Sequence, residues 1–154
     1  MLNETAFERR RGVGEPEIRT GFAQVFVKNS PSTERVAVLR GLADAQVRMD
    51  FFKLTDNGFQ FLVSEPDLPE VRRALSEQSV EFEVQPGRQV VHIPAVNIRD
   101  EDGLIADLVA VAIQSGASIS HLGDRHDRLL IVTDIPGAEL IRAAIDQRNQ
   151  AESR

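Results

Sequence analysis

VEFEVQPGRQVVHIPAV, Val80 to Val96, is the stretch on which the reading of the whole chain turns. Its first five residues alternate apolar and charged with period two, the pattern of a strand buried on one side. Pro86-Gly87 follows as turn punctuation, and Gln89 to Val96 opens a second apolar run of strand type. If one unit closes at Val84 and another opens at Gln89, the order of elements before the break should recur after it.

It does. Upstream, Ala23 to Lys28 reads as a strand ending at the punctuation Asn29-Ser30-Pro31-Ser32. A helix from about Thr33 to Ala45 is predicted by the stripe Val36, Leu39, Ala43 with Val38, Leu42 and Ala45 beside it. Val47, Met49 and Phe51 then alternate as a strand. Asp56-Asn57-Gly58 is expected to form a tight turn of positive φ, and Phe59, Phe61 and Val63 mark the return strand. Glu65 to Leu68 connects to a helix carrying Val71, Ala74 and Leu75, with Asp67 as its cap and Glu70 three residues on.

Downstream, a loop over Asn97 to Gly103 leads into a helix from Leu104 to Ser115. Hairpin strands follow at Ala117 to Gly123 and Arg128 to Thr133, and then a helix from Pro136 to Gln147 with proline first. The chain is thus an internal duplication with a period of about 65 residues. The expected fold is α+β: two ferredoxin-like βαββαβ units, antiparallel sheet with helices packed on one face. The units span 20–86 and 87–148 behind a polar leader, 1–19. The second copy lacks a last strand, because Asn149 to Arg154 is polar and short, and Glu17 to Phe22 is the candidate to cover that sheet edge.

The 154 residues carry a net charge of −6, which argues against a nucleic-acid partner, since phosphate recognition needs clustered Lys and Arg. The triplet Arg9-Arg10-Arg11 is too short to reverse this. Phe51, Phe52, Phe59 and Phe61 are read as hairpin and core packing rather than a base-stacking platform, because acidic residues are interspersed among the nearby cations. Absence of cysteine removes disulfides, thiol nucleophiles and Cys-ligated zinc. Met1 to Arg11 is polar where a signal peptide would be apolar, and no run reaches the ~20 apolar residues of a membrane span, so a cytoplasmic location is expected.

The acidic knot in NIRDEDGLIADL, Asn97 to Leu108, admits three readings. Asp100 stands where an N-cap belongs with Glu101 and Asp102 in a first helical turn, which makes a helix start the simplest. A ligand-facing loop is the second reading, and a metal or catalytic cluster the third. His121, Asp124, His126 and Asp127 form the only other grouping of metal-ligand type and read more simply as a charged hairpin tip, so no metal site and no cofactor are assigned. His92, among apolar strand neighbours, is a core or interface histidine. No serine has the glycine spacing of a nucleophile elbow, and no catalytic residue is assigned. Leu104 to Ile113 is apolar nearly all round, which calls for a second partner surface.

The run RGLADAQVRMD, Arg40 to Asp50, resembles the helix-to-strand run of tandem ACT domains, specifically the C-terminal regulatory region of aspartokinases. AQVFVK, Ala23 to Lys28, resembles that family's first strand, and GLIADLVAVAIQSGASI, Gly103 to Ile119, the start of its second copy. The resemblance covers about Gly12 to Ile145. It implies a continuous eight-stranded sheet from paired ACT units, association with a second chain, and a small amino acid bound at the interfaces. The first-copy ligand loop maps to Asn29, Ser30, Ser32 and Thr33, and the second-copy loop to Asn97, Arg99, Asp100, Asp102 and Gly103, with Ser118 and Ile119 on the following strand. Ser30 replaces the family's loop aspartate, Leu54 its ligand-contacting glutamine, and Ile105 the polar position at the second helix start.

The function implied is a non-catalytic regulatory module binding a small-molecule effector, possibly an amino acid. As partners it implies a homodimer or an enzyme of biosynthesis for which the chain is the regulatory subunit. The alternatives are a partner-binding ACT scaffold with a degenerate ligand site, and a small enzyme using residues 99–102.

Overall fold

The computed structural model describes residues 12–28 and 32–152, with the side chains of Ser32 and Thr33 left aside. Its elements are β1 (Glu17–Lys28), α1 (Ser32–Asp44), β2 (Asp50–Thr55), β3 (Gly58–Ser64), a single 3₁₀ turn (Glu65–Asp67), α2 (Leu68–Glu77), β4 (Glu81–Pro94), α3 (Leu104–Gln114), β5 (Ile119–Arg125), β6 (Arg128–Thr133) and α4 (Ile135–Glu152). Strands β1 and β3, β2 and β3, β4 and β6, and β5 and β6 pair antiparallel. The class is α+β, as expected.

The chain divides into two compact units, residues 21–88 and a second whose described part is 12–20 with 89–152. Within 21–88 the strand order is β2-β3-β1-β4, and within the other unit β1-β4-β6-β5. Strands β1 and β4 therefore contribute a segment to each unit. Six strands rather than eight follow among the described residues, because these two long strands each serve where two short ones were expected. Glu17 to Thr20, at the head of β1, lies beside β4 as the fourth strand of the unit that lacks one of its own.

Period-two alternation decides which strand face meets the helices. In 21–88, Ala23, Val25 and Val27 of β1 and Phe59, Phe61 and Val63 of β3 are buried with Val38 and Leu42 of α1 and Val71, Ala74 and Leu75 of α2. In the other unit, Val91 and Ile93 of β4 and Leu129 and Ile131 of β6 are buried with Leu104, Leu108 and Ala112 of α3 and Ala138, Ile141 and Ile145 of α4.

Several local expectations are corrected. Pro86-Gly87 does not end a strand. β4 runs straight through it, because a proline removes only one ladder donor while Gly87 takes φ +70° and its amide is accepted by Glu65 Oε1 at 3.2 Å. β2 begins at Asp50, so Val47 and Met49 precede it, and both pack on the core from the connection. The β2–β3 turn falls at Asp56-Asn57-Gly58 as expected, but of the three only Gly58 takes positive φ (+156°), and Thr55 Oγ1 closes the turn by donating to Gly58 O at 3.1 Å. Asp67 occupies the N-cap of α2 without a side-chain capping bond, since its backbone is already helical (φ −84°, ψ −8°) on leaving the 3₁₀ turn. Helix α4 continues to Glu152, making a helix of the polar residues from Asn149 onward.

Candidate functional site

The segment between β4 and α3 is the loop that the acidic knot occupies. Ala95 N donates to Asp127 O at 2.8 Å, fixing where the loop leaves the sheet. Asn97 takes φ +56°, a left-handed conformation that asparagine tolerates, and Gly103 closes the loop at φ +75°. Between them Asp100 N donates to Asn97 O at 3.0 Å, while Leu104 N donates to Glu101 O at 3.3 Å. Ile98 is fully buried, so one apolar side chain anchors an otherwise polar loop in the core.

The helix-start reading of Asp100 is overturned here. Gly103, not Asp100, is the N-cap of α3, and its carbonyl accepts from Asp107 N at 2.9 Å. A residue at φ +75° cannot continue a helix, so Asp100, Glu101 and Asp102 lie in the turn before α3 rather than in its first helical turn. None of the three forms an ion pair among the described residues. The neighbouring Arg99 is held instead: its Nε donates to Asp124 Oδ2 at 2.7 Å and its Nη2 to Asp124 O at 3.2 Å, tying the loop to the end of β5. Asp127 is engaged likewise by Arg128, which leaves both aspartates of the hairpin tip committed to arginines.

Beside this loop lies a groove of about 680 Å³, within the range of small-molecule sites. Arg99, Glu101, Asp102 and Gly103 form its polar end. Ile98, Ile105, Val109 and Ile113 supply apolar walls, and Ala106 and Ala110 keep it open. Ile113 is 62% exposed, so the apolar surplus of this helix stands at the surface. Of the expected second-copy residues, the groove thus gathers Arg99, Asp102 and Gly103. Asn97 and Asp100 shape the loop, whereas Ser118 uses its carbonyl to accept from buried Thr133 Oγ1 at 2.6 Å and Ile119 pairs with Thr133 in the sheet. In unit 21–88, Asn29 and Ser30 lie outside the described residues, Ser32 and Thr33 open α1, and Leu54 is exposed.

A smaller cavity of about 340 Å³ shares Glu101 with the groove and is bounded by Val13, Leu104, Arg148, Asn149 and Glu152. Arg148 Nε donates to Asp107 Oδ2 at 2.7 Å and Asn149 Nδ2 to Gly14 O at 3.2 Å, joining the end of α4 to α3 and the leader. Ile98 and Arg148 were not legible as site residues, and Asp124 was legible only as part of a charged hairpin tip, not as the partner of Arg99. The single signal was an apolar residue isolated in a polar loop at position 98.

His92 lies on the opposite face of β4 from the helices and is 7% exposed. Burial pushes its pKa below the ordinary value, and the nearby Arg19 and Arg128 guanidiniums push the same way. Its Nδ1 faces Arg128 Nη1 at 3.4 Å. Among the described residues there is no grouping of three or more metal-ligating side chains, and no helix is long and apolar enough to cross a membrane.

No protein-family model matches the chain, and no curated protein matches it in sequence. Solved structures do match in fold. The ligand-free regulatory subunit of aspartate kinase from Thermus thermophilus superimposes with a TM-score of 0.78 at 20% identity, over 88% of this chain and 97% of that one. The regulatory subunit from Thermus flavus gives a TM-score of 0.75 at 19% identity over the same shares, 88% and 97%. Aspartokinase III of E. coli, solved with lysine and aspartate, gives 0.65 at 12% identity over 86% of this chain and 32% of that one. The two Thermus structures are regulatory subunits matched over nearly their whole length: this chain resembles the regulatory subunit of aspartate kinase and carries its fold.

Proposed function

We propose that the chain is a non-catalytic regulatory module built of two ACT-type units, and that it takes a small amino acid or a relative of one in the groove between residues 97–103 and α3. The observation that carries this reading is the groove itself, acidic at one end and apolar along the other. Glu101 and Asp102 suit an ammonium group, the amides of Ile105 and Ala106 in the first turn of α3 lack intrahelical acceptors and suit a carboxylate, and Ile105, Val109 and Ile113 suit an aliphatic side chain. The apolar wall is open in one chain, so a second copy or an enzyme partner would complete it. The presence of lysine in the E. coli aspartokinase III structure supports an amino acid as the effector class.

In unit 21–88 the corresponding loop has Ser30 for the family's aspartate, and Leu54 replaces its glutamine. This favours a second reading for that unit alone, a scaffold whose ligand site has degenerated.

Calorimetric titration of the chain with lysine, threonine and the other amino acids tests the proposal. A dissociation constant below about 1 mM, worth roughly −4 kcal/mol, weakened by Asp102→Asn and unchanged by Ser30→Ala, is the expected result. No binding of any amino acid would end the effector reading, and substrate turnover would favour the small enzyme instead.

A further inference from the structure

The groove beside α3 is charged at one end only, and its apolar wall runs for a definite length. Past Gly103 in the sequence, every residue that lines it is apolar: Ile105, Val109 and Ile113 recur every four positions along one helix face, with Ala106 and Ala110 beside them. With a helical rise of about 1.5 Å per residue, Val109 stands about 6 Å beyond Ile105, and Ile113 about 6 Å beyond Val109.

No carboxylate stands along that wall. Asp107 is the only acidic residue of α3, it does not line the groove, and its Oδ2 accepts from Arg148 Nε at 2.7 Å. An amino acid with its ammonium at Glu101 and Asp102 and its carboxylate at the amides of Ile105 and Ala106 has its Cα at the polar end. From there an extended four-carbon side chain reaches about 5 Å and ends over Val109. Lysine has the same four carbons and one bond more, so its second ammonium arrives about 6 Å out. There it meets Val109, with Ile113 beyond and no counter-charge. That ammonium is either desolvated without a partner or turned to water, which draws the end of the chain off the wall. Threonine is too short to pass Ile105.

We infer that the groove selects an amino acid with an uncharged aliphatic side chain of three or four carbons, the class of leucine and norleucine, against lysine and threonine. This rests on the effector reading above and adds to it a preferred length and the rejection of a terminal charge.

Calorimetric titration of the full chain with alanine, norvaline, norleucine and lysine is the test. Affinity is expected to rise about two- to fourfold per added methylene from alanine to norleucine, and norleucine to bind about three- to tenfold tighter than lysine. Ala110 is exposed and lines the groove just past Val109, so Ala110→Asp supplies the missing counter-charge without entering the core. It should shift the ratio of the two affinities toward lysine by about threefold or more. Equal affinity for alanine, norvaline and norleucine, lysine as tight as norleucine, or an unmoved ratio in Ala110→Asp would each overturn the inference and leave the effector reading standing. Binding of none of the four, or norleucine binding indifferent to Asp102→Asn, would end the effector reading and the inference with it.

Discussion

Asp134, not Asp100, carries the capping chemistry that an acidic residue before a helix suggests, and the two can be separated by experiment. Asp134 Oδ1 accepts from Gly137 N at 2.8 Å, and its carbonyl takes the first intrahelical bond from Ala138 N at 3.1 Å. Helix α4 buries Gly137, Ala138, Ile141 and Ile145, so loosening its first turn is felt in the core. Removing such a cap costs about 0.5–2 kcal/mol, of which the charge near the helix N-terminus supplies about 0.3–1. Asp134→Ala should therefore lower stability by about 1–2 kcal/mol, and Asp134→Asn by under about 1 because the accepting oxygen remains. Asp100→Ala removes no such bond and should stay within about 0.5 kcal/mol of the parent. The chain has neither Trp nor Tyr, so urea unfolding is best followed by far-ultraviolet circular dichroism. In thermal melts each kcal/mol corresponds to about 2–4 °C at this size. Equal losses for Asp134→Ala and Asp100→Ala would refute the assignment of the cap.

Gly137→Ala should cost about 1–3 kcal/mol, because an added Cβ meets Thr133 Oγ1 and Asp134 Oδ1 in a packed corner; a melt no lower than the parent's would contradict this. His92 has a folded pKa below its ordinary value, so the unfolded chain binds the extra proton as pH falls through about 6.5. Stability is thus expected to drop from pH 7 toward 5 and level off below the folded pKa, and His92→Gln should flatten that stretch of the urea-midpoint profile. Val109→Glu places a charge in the apolar wall at α3 and should weaken self-association without unfolding the chain; equal sedimentation of parent and variant would remove α3 from the interface. Ile98→Ala empties a fully buried position and should cost about 2–5 kcal/mol while loosening the acidic loop, seen as faster hydrogen exchange at Asp100 and Leu104.

Most of the elements were legible because their burial is periodic. The alternation Ala23, Val25, Val27 and the stripe Val71, Ala74, Leu75 each declare one buried face, and β6 falls at Arg128–Thr133 as expected. Positions decided by backbone geometry were harder. Pro86-Gly87 looks like an end because proline usually is one, yet a glycine at positive φ lets the strand pass. Asp100 looks like a cap because nothing in the residue types reveals that Gly103 turns left-handed just before α3. Within the groove, the carboxylate of Asp102 could be located by its position next to an apolar helix, whereas Glu101 was read only as part of the acidic run 99–102. Arg99 was placed in the ligand loop in the same way, but its ion pair was not legible, since its partner Asp124 lies 25 residues away on another strand.

The division of β1 has a consequence for the order in which the protein is made. All the strands and helices of 21–88 leave the ribosome in one uninterrupted run, whereas Glu17 to Thr20 emerges earlier and must wait for Gln89 to Pro94 before it has a neighbour in its own unit. At about 5–20 residues per second the wait is about 3–14 s, long compared with the folding of most small domains. A nascent chain stalled after residue 88 would therefore present a finished inner unit with an orphaned strand end at its front, and the last unit to close would be the one that holds the acidic loop.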